Sequence, residues 1–129
     1  MDNWKLEATK YTPKVNFEAA SNTLELTGES YPENLAMFAE PLFSWLEDYL
    51  VQLKDQTFTV NIELTYFNSS SSKMLLDLFD RLEEEVADNG KTIIVNWIYD
   101  AENEMAEEYG EEFQEDIEEL TFNLVPKEE

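Results

Sequence analysis

With 30 acidic residues against 8 basic ones, this 129-residue chain carries a formal net charge of −22, and it contains neither cysteine nor histidine. Such a charge repels nucleic-acid backbones and anionic lipid surfaces, so we expect no nucleic-acid partner and no membrane partner. The missing residue types exclude disulfides, thiol chemistry, histidine acid–base catalysis and zinc sites of the usual ligand type.

Hydrophobic residues make up 43% of the chain, and its length is that of one ordinary domain. We therefore predict a single globular domain over residues 1–129 with its own core. The amino terminus lacks the basic region and apolar run of a signal peptide, and no apolar stretch approaches the ~20 residues that span a bilayer. A cytoplasmic location is expected, and the absence of cysteine fits one.

The first part of the chain predicts a β-hairpin followed by a helix. Polar and apolar residues alternate over 14–18 and 23–27, with a turn between them. Residues 6–9 are compatible with a short edge strand or an arm. The turn-rich segment Gly28–Asn34 leads into residues 35–53, where apolar side chains recur at helical spacing. Pro41 is expected to kink or divide that helix.

The centre of the chain predicts a strand followed directly by a second helix. Over Thr57–Tyr66 apolar and polar residues alternate with the period of a half-buried strand. Four serines, Ser69–Ser72, come shortly afterwards and precede the helical apolar pattern of Met74–Val86. The Asn89–Gly90 pair favours a left-handed cap at the end of this helix. The serines therefore lie at a helix start, where free backbone N–H groups and the helix dipole favour an anion.

The last third predicts a strand, an acidic helix and a final strand. Lys91–Tyr99 is largely apolar on both faces, which is typical of a strand towards the middle of a sheet. The segment Asp100–Glu119 holds eleven acids and no base. Within it we predict a helix over about residues 103–113 with a solvated outer face. Its apolar stripe comprises Met105, Tyr109 and Phe113. Residues 120–125 form the last predicted strand.

This order of elements predicts an α/β fold: a mixed sheet of four to five strands with about three helices, mainly on one face. Consecutive parallel strands joined by right-handed helical crossovers place their strand-to-helix loops at one edge of the sheet. We therefore expect segments 28–34, 67–72 and 99–103 to share that edge, where ligand and partner sites of open α/β sheets gather.

The four serines allow a structural and a functional interpretation. One serine that accepts a hydrogen bond from a backbone N–H would cap the helix and contribute ~1 kcal/mol, with the others filling its first turn. Alternatively, one serine is phosphorylated. The helix dipole would tolerate the added charge, whereas a partner docked over the same edge would not tolerate it equally.

Catalysis is the less favoured class of function. No serine–base or lysine–carboxylate set stands out among so many acids. The acids of Asp100–Glu104 are spaced like the opening of a calcium loop, but Met105 occupies the place of the required turn glycine. We therefore predict no catalytic residue, no metal and no cofactor. A small acidic metal-binding or hydrolytic enzyme is the alternative of another class.

Three segments, Gly28–Asn34, Tyr66–Glu85 and Trp97–Phe113, resemble the SiaC family of bacterial regulatory phosphoproteins, and the likeness spans nearly the whole chain. The family is similar to STAS domains, the fold of anti-sigma-factor antagonists, in agreement with the predicted element order. The resemblance implies a partner switch. A Ser/Thr kinase phosphorylates the serine loop, a metal-dependent PP2C-type phosphatase removes the phosphate, and the unmodified form activates a diguanylate cyclase in c-di-GMP and biofilm signalling.

Carried over by position, the resemblance places the phosphoryl acceptor at Ser69, with Ser70 as the alternative. STAS antagonists usually have Asp before the phosphoserine, where this chain has Asn68. The residues assigned to partner binding are Tyr31, Pro32, Glu33, Asn34, Asn68, Ser70, Ser71 and Lys73. An antagonist that acts on an anti-sigma kinase to control transcription is the alternative function with the same fold and switch.

Overall fold

The structure is a computed structural model that describes residues 2–128. Within that range the chain forms six strands and three helices. In chain order they are β1 (Trp4–Leu6), β2 (Lys14–Glu18), β3 (Thr23–Ser30), α1 (Leu35–Gln52), β4 (Thr57–Phe67), α2 (Ser69–Asn89), β5 (Thr92–Asp100), α3 (Glu104–Glu115) and β6 (Thr121–Lys127). No helix in this part of the chain is long and apolar enough to cross a membrane.

The strands form one sheet in the order β1-β2-β3-β4-β5-β6. Strands β1, β2 and β3 pair antiparallel, whereas β3, β4, β5 and β6 pair in parallel and are connected by the helices. The mixed α/β sheet with three helices is as predicted, but it has six strands rather than four to five. The additional strand β1 has only three residues, too few to show an alternating pattern, and it exists because it pairs with Val15–Phe17.

The helices cover one face of the sheet. Residues of β4 that point to that face, such as Phe58 and Ile62, are fully buried, whereas Asn61 between them is only half-buried. On the open face the amides of Asn61, Asn96 and Asn123 bond side chain to side chain across three strands, at 2.9 and 3.1 Å. Strand β5 lies second from the edge rather than centrally, and its apolar outward residues are likewise half-buried.

Helices α1 and α2 form as expected. Pro41 lies inside α1 and does not divide it, although its missing N–H removes one helical hydrogen bond. Helix α2 ends at Gly90, whose φ of 65° gives the predicted left-handed cap. Arg81 of α2 holds the two helices together, because its guanidinium donates to both carboxylate oxygens of Glu47 at 2.6 and 2.9 Å. The same group also donates to the buried Glu85 at 2.8 Å.

Helix α3 begins and ends within two residues of its predicted bounds, but it buries a different face. Its buried residues include Ala106 and Gly110, whereas Met105 is 64% and Tyr109 37% exposed. A Cβ atom at Gly110 would lie 2.5 Å from Cδ1 of Trp97, and Trp97 Nε1 donates to the Ala106 carbonyl at 2.9 Å. This close approach of helix backbone to indole requires small residues, which turns the larger apolar side chains outward.

Candidate functional site

The strand-to-helix loops after β3, β4 and β5 lie at one edge of the sheet, as predicted. The backbone N–H of Asn68 donates to the Ser30 carbonyl at 3.1 Å, which joins the first two loops. The ring of Phe67 packs 5.0 Å from that of Tyr109, which joins the second to α3. We call the surface formed by residues 31–34 and 68–73 the serine edge.

Asn68, rather than a serine, is the N-cap of α2. Its backbone is extended, with φ −92° and ψ 178°, and its side chain accepts a hydrogen bond from the Ser71 N–H at 3.0 Å. Asparagine is among the best N-cap residues, so the interpretation in which a serine caps the helix is wrong. Ser69 therefore occupies the first helical position without serving as the cap.

Ser71 is enclosed in the protein interior. Its hydroxyl donates to the Ser30 carbonyl at 2.9 Å and lies 2.7 Å from the Ser30 hydroxyl. Because the single hydroxyl proton of Ser71 is used on the carbonyl, Ser30 is the donor between the two hydroxyls. Both serines have no exposed surface. The sequence assigns Ser71 to partner binding, but its side chain cannot touch a docked protein and instead fixes α2 to the end of β3.

Ser69 and Ser70 are both exposed, whereas Ser72 is half-buried. In the part of the chain that the structure describes, neither exposed hydroxyl makes a hydrogen bond to another group of the protein. Ser69 adjoins the free N–H groups of the first helical turn, where the dipole favours negative charge. An enzyme approaching the serine edge can therefore reach either hydroxyl without breaking a bond that holds the fold.

The other assigned residues differ in accessibility. Glu33 and Asn34 are exposed, and Asn34 is the N-cap of α1 without a side-chain cap bond. Pro32 is half-buried. Lys73 is exposed and lies 3.7 Å from Asp77, one turn along α2. Since Lys73 follows Ser69 by four residues, the two side chains project from the same face of the helix.

Tyr31 stands in a cluster of tyrosines that the sequence did not reveal. The rings of Tyr11 and Tyr66 meet it edge-on at 5.3 and 5.5 Å, and its N–H donates to the Tyr11 carbonyl at 2.8 Å. Burial, and next the neighbouring Glu29, raises the pKa of Tyr31 above its ordinary value. Tyr11 and Tyr66 are 44% and 55% exposed, so aromatic surface continues beside the serine edge.

The predicted burial of Tyr66 is wrong because the pairing changes at a bulge. Gly28 pairs with Leu64, but the next residue, Glu29, pairs with Tyr66, so that Thr65 is skipped. The alternation of buried and exposed residues along β4 ends at this point. Tyr11 carries no local signal, since its contact with Tyr31 joins segments that are distant in sequence. Only knowledge of the long-range strand pairing would have revealed that Tyr11 and Tyr66 belong to this cluster.

Comparison with known proteins agrees with these observations. A sequence model of the SiaC family of regulatory phosphoproteins matches residues 6–127. The chain belongs to the SiaC family. An uncharacterised protein from Pseudomonas aeruginosa strain UCBPP-PA14 is 32% identical to it over 116 residues, which is 90% of each chain.

Solved structures of SiaC share the fold. The crystal structure of apo-SiaC from Pseudomonas aeruginosa has 30% sequence identity and a TM-score of 0.86, covering 97% of this chain and 99% of that one. A crystal structure of the diguanylate cyclase SiaD in complex with its activator SiaC, from the same species, matches with 30% identity and a TM-score of 0.87. That match covers 96% of this chain and 99% of the other.

Proposed function

We propose that this protein is a non-enzymatic regulatory phosphoprotein of a bacterial partner-switching system. Its acceptor is Ser69, with Ser70 as the alternative, and a Ser/Thr kinase and a PP2C-type phosphatase set its state. The unmodified form binds and activates a target of the diguanylate cyclase class, so that c-di-GMP signalling follows the phosphorylation state. The observation that supports the proposal is the exposed Ser69 hydroxyl, free of hydrogen bonds at the first position of α2.

The surroundings of Ser69 explain why a phosphate there would act on a partner and leave the fold intact. A phosphoryl group adds roughly −1.5 to −2 charge at neutral pH. The helix start and Lys73 on the same face both favour that charge. A partner docked over the serine edge would instead have to remove water from the phosphate. Where the partner offers no basic residue, this desolvation costs several kcal/mol, as it does for other buried ions.

The likeness to SiaC supports the proposed target class. SiaC of Pseudomonas aeruginosa is the activator of the diguanylate cyclase SiaD, and it matches 96% of this chain at 30% identity. This likeness favours a cyclase over an anti-sigma kinase as the downstream target. Copurification from the host distinguishes them, because an anti-sigma kinase recovered without any cyclase would support the transcriptional alternative.

The test combines mass spectrometry with capture of the target by matched variants. Phosphate on Ser69 in protein from its host supports the proposal, and phosphate on Ser70 alone moves the acceptor by one residue. Ser69→Ala should retain the cyclase, whereas Ser69→Asp should lose at least about tenfold in affinity. Ser21→Asp is the control, because Ser21 is exposed in the β2–β3 turn at the opposite edge of the sheet. Equal recovery by both Ser69 variants would contradict the switch.

A further inference from the structure

An apolar groove opens between the end of β4 and the start of α3. The paired register of β4 and β5 ends at Ile62 and Trp97, so the last residues of β4 are not paired with β5. The resulting groove has a volume of about 140 Å³. Its lining comes from the last four residues of β4 and the first two turns of α3, chiefly Tyr66, Phe67, Met105 and Tyr109.

The groove leaves apolar surface in contact with water. Met105 is 64%, Tyr66 55% and Tyr109 37% exposed. Helix α3 cannot turn these residues inward, because its inward positions hold Ala106 and Gly110 against Trp97. Burying apolar surface is favourable, so a partner that covers the groove would gain binding free energy from side chains that the folded chain leaves exposed. Methionine also adapts its shape to different contacts.

The residues that line the groove are uncharged, but the surface of α3 beside it is acidic. Glu108 and Glu112 are exposed and lie three residues after Met105 and Tyr109, which places each beside an apolar groove residue on the helix surface. The chain has no basic residue between Asp100 and Glu119. A segment that covers the apolar floor must therefore approach carboxylates, and lysine or arginine is the chemistry that complements them.

The size of the groove limits what enters it. Its volume, about 140 Å³, is close to the ~150 Å³ of an engineered apolar cavity that holds one benzene ring. One aromatic or leucine side chain fits such a space, as a single buried anchor often does at protein interfaces.

We propose that the groove binds a basic segment of a protein partner, with one aromatic or leucine side chain in the groove and lysine or arginine beside Glu108 and Glu112. This inference rests on the proposed function and extends it by naming the chemistry of the segment that the partner presents. Binding of that segment does not require modification of Ser69. This docking surface accounts for Met105 and Tyr109, which the fold itself does not bury.

The probe is a synthetic peptide with one phenylalanine between lysines, titrated into isotope-labelled protein at about 0.15 M salt, where the Debye length is about 8 Å. Saturable NMR shifts should map to Tyr66, Phe67, Met105 and Tyr109. A peptide with serine in place of phenylalanine, and another with glutamate in place of the lysines, should each bind at least about tenfold more weakly. Shifts spread over the acidic surface, or equal binding of the serine peptide, would overturn the proposal.

Charge-neutral variants separate the groove from general attraction to an acidic protein. Met105→Ser and Tyr109→Ser should each weaken the phenylalanine peptide about tenfold. Val51→Ser is the matched control, because Val51 is 74% exposed on α1 and does not line the groove. Equal affinities of the Met105→Ser and Val51→Ser variants for the phenylalanine peptide would overturn the proposal that the peptide binds in the groove. Since these measurements use unmodified protein with Ser69 intact, that outcome leaves the Ser69 capture experiment unaffected.

Discussion

The hydroxyl of Ser71 ties the first turn of α2 to the end of β3. The Ser30 carbonyl accepts two hydrogen bonds, from the Asn68 N–H at 3.1 Å and from the Ser71 hydroxyl at 2.9 Å. The Ser30 hydroxyl donates in turn to the oxygen of Ser71 at 2.7 Å. Because both serines are fully buried, no water replaces a lost partner. The placement of Ser69 thus depends on a buried bond made two residues further along the helix.

We expect Ser71→Ala to lower the free energy of unfolding by about 1–3 kcal/mol, because it leaves the buried Ser30 hydroxyl without an acceptor. Urea denaturation followed by tryptophan fluorescence measures the change. The matched control is Ser69→Ala, which removes an exposed hydroxyl free of hydrogen bonds and should stay within about 0.5 kcal/mol of the wild type. Equal losses in the two variants would show that the buried pair does not stabilise the fold.

The inward serine could have been found from helical periodicity, which the assignment of Ser71 to partner binding did not use. Ser71 precedes Leu75 by four residues and Leu78 by seven, so the apolar pattern of α2, extended backwards, places Ser71 on the buried face. The capped start of α2 then places the third serine inward, so the hydroxyl assigned to partner binding at Ser71 is in fact enclosed. The first serine was predicted as the acceptor from a motif, and the structure leaves it accessible.

Among the elements, α2 also organises the connection between α3 and β6. The carboxylate of Glu83 accepts backbone hydrogen bonds from Glu118 at 3.0 Å, Glu119 at 2.6 Å and Leu120 at 2.8 Å. Burial acts to raise the pKa of Glu83, but these three donors outweigh it, so that the pKa lies below its ordinary value. The ionised carboxylate therefore holds this acidic connection against α2.

The stabilising effect of Glu83 should depend on pH. Since its pKa is lower in the folded than in the unfolded protein, its contribution is complete above the unfolded pKa of about 4.3. It is lost as the pH falls through the folded value. At pH 7 we expect Glu83→Gln to reduce the free energy of unfolding by about 1–3 kcal/mol, because charge-assisted hydrogen bonds become neutral ones. The difference between the two proteins should begin to shrink below about pH 4.3 and should disappear only once the pH lies below the folded pKa of Glu83.

Urea denaturation at a series of pH values measures this difference. Glu84→Gln is the control, because the exposed carboxylate of Glu84 lies 3.9 Å from Arg81 and a surface pair of this kind contributes little. A difference between Glu83→Gln and the wild type that is the same at every pH would show that the lost stability comes from packing rather than from the charge of Glu83.

Most elements could be predicted from periodicity, whereas the inward face of α3 could not. The four-residue spacing of Met105, Tyr109 and Phe113 indicated an apolar stripe, but only Phe113 is buried. The helix rotates because Gly110 admits the indole of Trp97, a contact between elements that no local pattern records. The same rotation leaves the groove beside β4 uncovered.

At the scale of the whole molecule, the order and direction of the parallel strands were more predictable than the antiparallel strands at the first edge of the sheet. The alternation of strands and helices after Thr23 is sufficient to predict that β3 to β6 pair in parallel. The common position of the strand-to-helix loops follows from that pairing. Strand β1 and the contact of Tyr11 with Tyr31 depend on antiparallel pairing of a short segment with no pattern of its own. Sequence periodicity therefore predicts the centre of this sheet better than its first edge.

The charge of the whole molecule opposes its compact state. Few bases are available to offset 30 acids, and Lys73, Arg81 and Lys127 already pair with carboxylates. Folding brings the remaining acids closer together than they are in the unfolded chain, so their mutual repulsion lowers stability. Salt screens this repulsion, with a Debye length that shortens from about 30 Å at 0.01 M to about 8 Å at 0.15 M.

We therefore expect the free energy of unfolding at pH 7 to rise by about 1 kcal/mol or more between 0.01 and 0.15 M NaCl, which the urea midpoint measures. The control is the same comparison near the isoelectric point of about 4.1, where the net charge approaches zero and salt has little repulsion to screen. Replacing NaCl by KCl at equal ionic strength should give the same rise, because screening depends on ionic strength. An equal salt effect at both pH values would contradict charge repulsion as its cause and would indicate instead that the ions act on surface hydration.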